Sequence, residues 1–276
     1  MDTLQTLIIA IVEGLTEFLP VSSTGHMIIT QNLMGVKQGD PFIHAFTFII
    51  QFGAILSVVC LYWKHFFQVR NRQEWQEKKR FYGLLIVGVL PAVAVGLAAK
   101  KSGLLDWLLD SVWVVALTLV LGGVFMLFCD RLFSKGSEQT ELTARRALWI
   151  GLFQCLSVIP GMSRSMATIV GGMTQRLTRR RAAEFSFFLA VPTMAGATLL
   201  DLIDLSKEGF GWATPENVTT LLLGCAVAFI VAIAAMKWFV NFLAKYGFRA
   251  FGWYRIAVGG IILALLLCGV PLNMVD

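Results

Sequence analysis

Residues 13–26 read Glu-Gly-Leu-Thr-Glu-Phe-Leu-Pro-Val-Ser-Ser-Thr-Gly-His, a polar stretch set between apolar runs at 7–12 and 27–29. The chain around it is 57% hydrophobic and only 14% charged, where soluble domains carry about 25% charged residues. Such a composition belongs to a polytopic membrane protein, so carboxylates, hydroxyls and an imidazole stand at membrane depth. Ionisable groups are costly there, face a protein interior or a wet cavity, and mark function. Glu13 and Glu17 are four residues apart and share one helix face. Pro20 lacks a donor and disfavours helix at the residue before it, which predicts a helix end near Leu19. Ser22, Ser23 and Thr24 are suited to cap a second helix running on through His26. Free backbone N–H groups at a hydroxyl-lined helix start attract anions. Carboxylates facing such a turn point to a phosphate bridged by a metal ion.

Other classes fall away. The net charge of +6 sits in short loops beside apolar spans, the pattern of a topology signal, so no nucleic-acid partner is expected. Cys60, Cys129, Cys155, Cys225 and Cys268 lie at scattered spacings inside apolar segments. They form neither a metal pattern nor a disulfide framework. Asp2 precedes the first apolar run with no basic segment, so a cleaved signal peptide is not expected.

A spanning helix needs about 20 apolar residues. The sequence offers candidates at 43–63, 81–99, 107–129, 184–203, 218–240 and 251–271. Two further apolar regions, 4–35 and 147–175, are cut midway by proline, glycine and polar residues into pieces too short to span. Broken helices are tolerated only inside protein or beside a cavity. Basic residues cluster in 64–80, 130–146 and 176–181 and in a fourth loop with Lys237, Lys245 and Arg249, while 36–42, 100–106 and 204–217 are poorer in them. The positive-inside rule puts the basic loops in the cytoplasm. Both ends of 147–175 are then cytoplasmic, and both ends of 4–35 are outside. The predicted fold is an all-α polytopic membrane protein with six transmembrane helices plus two re-entrant helical hairpins. Both termini fall outside.

The hairpins echo one another. Gly-Leu-Thr-Glu-Phe-Leu at 14–19 parallels Gly-Leu-Phe-Gln-Cys-Leu at 151–156, and Pro-Val-Ser-Ser-Thr at 20–24 parallels Pro-Gly-Met-Ser-Arg-Ser at 160–165. Downstream, Ala-Phe-Thr-Phe-Ile-Ile at 45–50 parallels Glu-Phe-Ser-Phe-Phe-Leu at 184–189. The matched spans run in opposite directions by loop charge. This predicts an inverted-topology repeat within one integral membrane domain, repeat 1 over about 4–129 and repeat 2 over about 147–271. Such repeats place the ligand near the midplane, where the discontinuous helices meet.

Meeting tips would oppose Glu13, Glu17, Ser22, Ser23, Thr24 and His26 to Gln154, Ser163, Arg164, Ser165 and Thr168. Pro160-Gly161 signals a turn, and Ser163 can cap the helix that follows. Glu13 and Glu17 can hold Mg²⁺ or Ca²⁺ while substrate phosphate completes the shell. Arg164 offers a planar fork for phosphate and can neutralise charge on a transferred phosphoryl group. His26 has an unperturbed pKa suited to proton transfer near neutrality. A structural bridge from the glutamates to Arg164 competes with this reading, but it leaves His26 and the hydroxyls unexplained. Gln51, polar in mid-span, is either a helix–helix bond or a partner of the site. His44 and His65 read as interfacial, Asp201 and Asp204 as boundary residues, and the tryptophans as an aromatic belt.

The stretch 13–26 and Pro-Gly-Met-Ser-Arg-Ser-Met-Ala-Thr at 160–168 resemble the two signature motifs of the bacterial undecaprenyl-diphosphate phosphatase family, the bacitracin-resistance proteins. The resemblance covers essentially the whole chain and includes Ala190-Val191-Pro192-Thr193-Met194. It implies a metal-dependent enzyme of the bacterial cytoplasmic membrane, acting at the outer face. That enzyme removes the terminal phosphate of undecaprenyl pyrophosphate to recycle the lipid carrier for cell-wall glycans. Carried over, the acidic motif falls on Glu13 and Glu17, the essential histidine on His26, the serine on Ser23, and the arginine motif on Ser163, Arg164, Ser165 and Thr168. Met166 departs from the pattern, where a small residue such as glycine is expected.

The nucleophile stays open at this point between Ser23, His26 and a water held by His26. Ser22, Thr24, Gln51 and the arginine motif are the expected substrate contacts. Membrane lipid is an expected partner, and a homodimer is an assembly open to the chain. Inverted repeats and a charged midplane site also describe secondary transporters, so a flippase for a phosphorylated polyprenyl lipid is the rival reading.

Overall fold

The computed structural model describes residues 1–36, 39–133 and 135–273, apart from the side chains of Asp106 and Glu208. Lys37 and Gln38 of the 36–42 connection, and Ser134 of the 130–146 segment, lie outside the described residues. Among the described residues every regular element is a helix. Helix α1 (Thr3–Thr16) opens on a reciprocal cap, with the Asp2 carboxylate accepting from Gln5 N and the Gln5 side chain accepting from Asp2 N. It stops three residues short of Leu19, because Pro20 leaves the chain to turn and Val21 N closes on Leu19 O at 2.8 Å. Helix α2 (Ser23–Leu33) follows under the Ser22 cap.

Helix α3 (Pro41–Leu61) starts with Asp40 as cap and proline in the first turn, the favoured order for a helix start. Then come the short α4 (Trp63–Phe67), the long α5 (Arg72–Lys101), the short α6 (Leu104–Leu109) and α7 (Val112–Leu132). The second half holds α8 (Ala144–Gln154), a 3-10 turn (Cys155–Val158), α9 (Arg164–Thr174), α10 (Arg179–Glu208), α11 (Pro215–Tyr246) and α12 (Arg249–Leu267). Six helices are long and apolar enough to cross a membrane: α3, α5, α7, α10, α11 and α12.

Two of the boundaries that differ from the hydropathy reading are set by a capping residue. The span expected at 81–99 begins at Arg72, since Asn71 caps the helix and the basic segment before residue 81 is itself helical. The span expected at 107–129 is broken at Asp110, and Ser111 caps a fresh helix from Val112. Hydropathy registers apolar content but not the cap that restarts the backbone.

The four basic connections gather at one end. Arg179 bridges to Asp130 at 2.8 Å, Asp130 also accepts from Phe248 N, Arg80 pairs with Glu141, and Arg181 donates to the Glu138 and Thr140 carbonyls. Elsewhere Lys100 joins Asp204, Gln5 reaches the Met34 carbonyl, and Asn32 bonds the backbone of Asn273. Helices α2, α8 and α9 have 11 residues each. That is about 16 Å of helix against a hydrocarbon core of about 30 Å.

Glycines let the short helices close on long ones. A Cβ on Gly14 would stand 2.7 Å from the Ala228 carbonyl oxygen of α11, and one on Gly151 would overlap the Gly88 carbonyl of α5. The two short pairs meet at their turns, above a core that includes Phe18, Phe187 and Phe239.

Candidate active site

Each turn ends in a serine that caps the next helix, with its Oγ 3.4 Å from the backbone N–H three residues on: Gly25 after Ser22, Met166 after Ser163. Both serines hold a positive φ, 71° and 70°, a region that non-glycine residues seldom occupy. Such strain costs about 1–3 kcal/mol and persists where surrounding structure over-determines it, often at functional sites.

Between the turns runs a chain of polar contacts. Ser23 Oγ donates to Glu17 Oε2 at 2.8 Å, and Arg164 Nη2 donates to Glu17 Oε1 at 3.0 Å. The Arg164 and Glu17 side chains are 10% and 8% exposed. Arg164 Nη1 reaches the Ser186 carbonyl at 3.3 Å, its guanidinium lies over the Phe18 ring, and its Nε is buried without a partner. A cavity of about 190 Å³ opens on this chain, lined by Glu17, Ser22, Ser23, Thr24, Gln51, Ser163 and Arg164. Ser157, which the sequence reading passed over, also borders it, as does Met194 of the 190–194 stretch.

Other expected residues stand behind the wall. Ser165 is fully buried and donates to the Leu19 carbonyl at 2.7 Å, pinning one turn to the other. Thr168 is fully buried and bonds Ser186 Oγ at 2.6 Å and the Arg164 carbonyl at 2.8 Å. Their hydroxyls are committed to packing. Met166, the departure from the motif, is buried in the main core. Gln154 is buried and bonds Thr193 Oγ1, with its own Oε1 unpartnered. His26 sits beyond the Ser22 turn, with Nδ1 2.7 Å from the Ser22 carbonyl and Nε2 2.7 Å from the Tyr254 hydroxyl.

One residue that the sequence reading missed organises both turns. Arg255 on α12 is fully buried and donates to the carbonyls of Pro20 and Met162 from Nη1, of Gly161 and Thr118 from Nη2, and of Leu119 from Nε. It therefore ties the tip of each short pair to α7. The signal was an arginine several residues inside an apolar helix, the same kind of intramembrane charge that marked Glu13 and Glu17.

The metal question turns on the glutamates. Both Glu17 oxygens are engaged, whereas Glu13 is buried with Oε1 lacking any hydrogen-bond partner. A buried polar atom without a partner calls for an explanation, and an oxygen-ligating cation supplies one. Among the described residues no group of three or more His, Cys, Asp or Glu side chains forms a cluster. Glu13 and Glu17 are the carboxylates available to a divalent ion, which would have to draw most of its shell from substrate phosphate and water, as Mg²⁺ does.

A larger cavity of about 840 Å³ lies at the basic end, lined by Trp63, Lys64, His65, Arg70, Glu74, Glu77 and Lys78 among others. The His65 ring stacks on Phe188 there. Burial, with Lys78 second, holds its imidazole below the ordinary value. Opposed charges line this cavity, and among its described lining residues no carboxylate is buried, in contrast to Glu17 at the smaller cavity.

A buried carboxylate holding both an arginine and a serine hydroxyl, between two strained capped turns, can bind a phosphate group and activate a hydroxyl. The fold and site define an integral membrane protein with a polar cavity between two capped turns. Residues 6–261 match the family model described as bacitracin resistance protein BacA, and the chain belongs to that family. It is 55% identical to a protein named undecaprenyl-diphosphatase from Porphyromonas gingivalis, over 99% of each chain. It is 50% identical to one of the same name from Flavobacterium psychrophilum, and 47% identical to one from Bdellovibrio bacteriovorus, over 100% of each chain.

Proposed function

We propose that this enzyme hydrolyses undecaprenyl pyrophosphate to undecaprenyl phosphate and inorganic phosphate, returning the lipid carrier to cell-wall synthesis. Full-length similarity to proteins named undecaprenyl-diphosphatase supports the substrate. The single observation that carries the chemistry is the Ser23–Glu17–Arg164 chain.

In this reading Arg164 and the capped helix starts at Ser22 and Ser163 receive the pyrophosphate. Ser23 Oγ attacks the terminal phosphorus, and its proton passes to Glu17 Oε2, the oxygen that already accepts it. The phosphoanhydride P–O bond breaks, undecaprenyl phosphate leaves, and water then hydrolyses the phosphoserine. Arg164 balances charge on the phosphoryl oxygens. Thr24 and Gln51 border the same space and contact the substrate. Glu13, with Glu17, would hold Mg²⁺ or Ca²⁺, which supplies electrostatic neutralisation of the pyrophosphate. His26 serves proton transfer from behind the Ser22 turn.

The wider frame belongs to the same proposal. The short pairs α1–α2 and α8–α9 are re-entrant hairpins of an inverted repeat in one membrane domain, with the basic end cytoplasmic, both termini outside and the site opening outward. The matched serine geometry, the paired Gly14 and Gly151 contacts and the gathered basic connections support this. The polyprenyl tail lies in lipid.

Phosphate release from undecaprenyl pyrophosphate by the detergent-purified protein tests the reading, with Mg²⁺, with Ca²⁺ and with chelator. Metal-dependent release that disappears in Glu17→Ala and Arg164→Ala is expected. No release from folded wild-type protein would overturn it, and lipid movement in vesicles without phosphate release would put the flippase in its place.

A further inference from the structure

His26 is the titratable group whose partners narrow its role most. The Ser22 carbonyl oxygen has only lone pairs to offer, so Nδ1, 2.7 Å away, carries the proton and donates. The neutral ring then has one basic nitrogen, Nε2, and the Tyr254 hydroxyl stands 2.7 Å from it. The two rings are also nearly parallel, 10° apart with centroids at 5.4 Å. Of the ionisable side chains around His26, α12 supplies Tyr254 and the buried Arg255. Helix α1 connects through Ser22 and Ser23 to Glu17, and α7 carries no ionisable side chain before Cys129.

We propose that Tyr254 is a positioning residue acting through His26. Its hydroxyl donates to Nε2 and holds the ring as the Nδ1–H tautomer, and its aromatic face fixes the plane of the imidazole. Any proton that His26 takes or gives must arrive at Nε2, because Nδ1 is committed to backbone. Tyr254 therefore controls access to the one nitrogen that can exchange it. The tyrosine lies on a spanning helix with 47% of its surface exposed, so its hydroxyl is anchored by the histidine alone among the described contacts. This rests on the phosphatase reading for its catalytic consequence, and on geometry alone for the hydrogen bond.

The experiment uses full-length protein in detergent with ¹⁵N-labelled histidine, and Tyr254→Phe, which keeps the ring and removes the hydroxyl. The chain has three histidines, and His26→Asn identifies the resonances of His26. In wild type, Nε2 should appear as a hydrogen-bonded imine nitrogen. In Tyr254→Phe it should move downfield toward a free one, with Nδ1 still protonated. In the phosphate-release assay kcat should fall about tenfold with KM unchanged, a fraction of what a positioned proton-transfer group contributes. Unchanged ¹⁵N shifts, or a shift with kcat unaltered, would overturn the proposal. If wild type releases no phosphate, the phosphatase reading fails on its own account, while the ¹⁵N shifts still decide whether Tyr254 holds Nε2.

Discussion

Ser22 and Ser163 adopt the same unusual backbone conformation, φ 71° and ψ 101° at one, φ 70° and ψ 111° at the other. They lie 141 positions apart, and each caps an 11-residue helix. A serine placed where glycine would be at ease implies that its hydroxyl or its rigidity is needed at that point. The two turns thus share a conformational requirement as well as a sequence echo, and the cavity opens between them.

Substitutions at Ser163 should separate strain from function. Ser163→Gly relieves the positive φ and loses a long cap bond, so it should unfold at a temperature equal to or above wild type. Ser163→Ala keeps the strain and loses the cap, and should be less stable by about 1 kcal/mol. Both should lose phosphate release if the hydroxyl meets the substrate. Thermal unfolding in detergent beside the activity assay reads the two effects apart.

The Glu17–Arg164 pair should show strong coupling. Removing either partner leaves the other charge buried and uncompensated, at a cost of about 3–5 kcal/mol. The double variant Glu17→Ala/Arg164→Ala should therefore be more stable than the sum of the single losses predicts. A double-mutant cycle on unfolding free energy checks this. Near-additive losses would mean that solvent reaches the pair more freely than its burial indicates.

The turns were legible in the sequence because proline, glycine and capping serines act locally. Pro20 and Pro160 set the breaks, and Ser22 and Ser163 the restarts. Glu17 and Arg164 were legible as charges with no place in lipid, and they do meet. Ser165 and Thr168 were drawn into the site as hydroxyls of the arginine motif, yet helix phase turns them onto Leu19 and Ser186. Spacing from Arg164 fixes a face but not what that face packs against. Tyr254 was hidden for a different reason, and Arg255, visible as an intramembrane charge, had no target that the sequence could assign. Their partners lie over 90 residues away in sequence, and only the fold brings α12 behind both turns.

Close helix packing predicts a graded response at the repeated glycines. Gly151→Ala drives its methyl into the Gly88 carbonyl, a backbone atom that cannot step aside. Gly14→Ala meets the Ala228 carbonyl at 2.7 Å, a milder clash. Overpacking of this kind costs about 1–3 kcal/mol, so Gly151→Ala should unfold first in a denaturant series and Gly14→Ala should fall between it and wild type. The reverse order would show that α8 has room to shift on α5.

Arg255 should be the least replaceable residue of the molecule outside the cavity. Its donors satisfy the turn carbonyls of Pro20, Gly161 and Met162 and add to the helical bonds of Thr118 and Leu119, and each turn carbonyl left buried without a donor costs about 1–3 kcal/mol. Arg255→Met fills much of the volume but supplies no donor, so it should lose several kcal/mol and unfold at the lowest temperature of the set. Arg255→Lys keeps the charge with three donors on one nitrogen, too few and too compact to reach both Pro20 and Gly161. It should fold, but with the turns loosened against each other and phosphate release well below wild type. The Met variant tests stability, and the Lys variant tests whether the geometry of the turns, rather than the positive charge alone, is what the site requires. Wild-type activity in Arg255→Lys would assign the residue a purely electrostatic role.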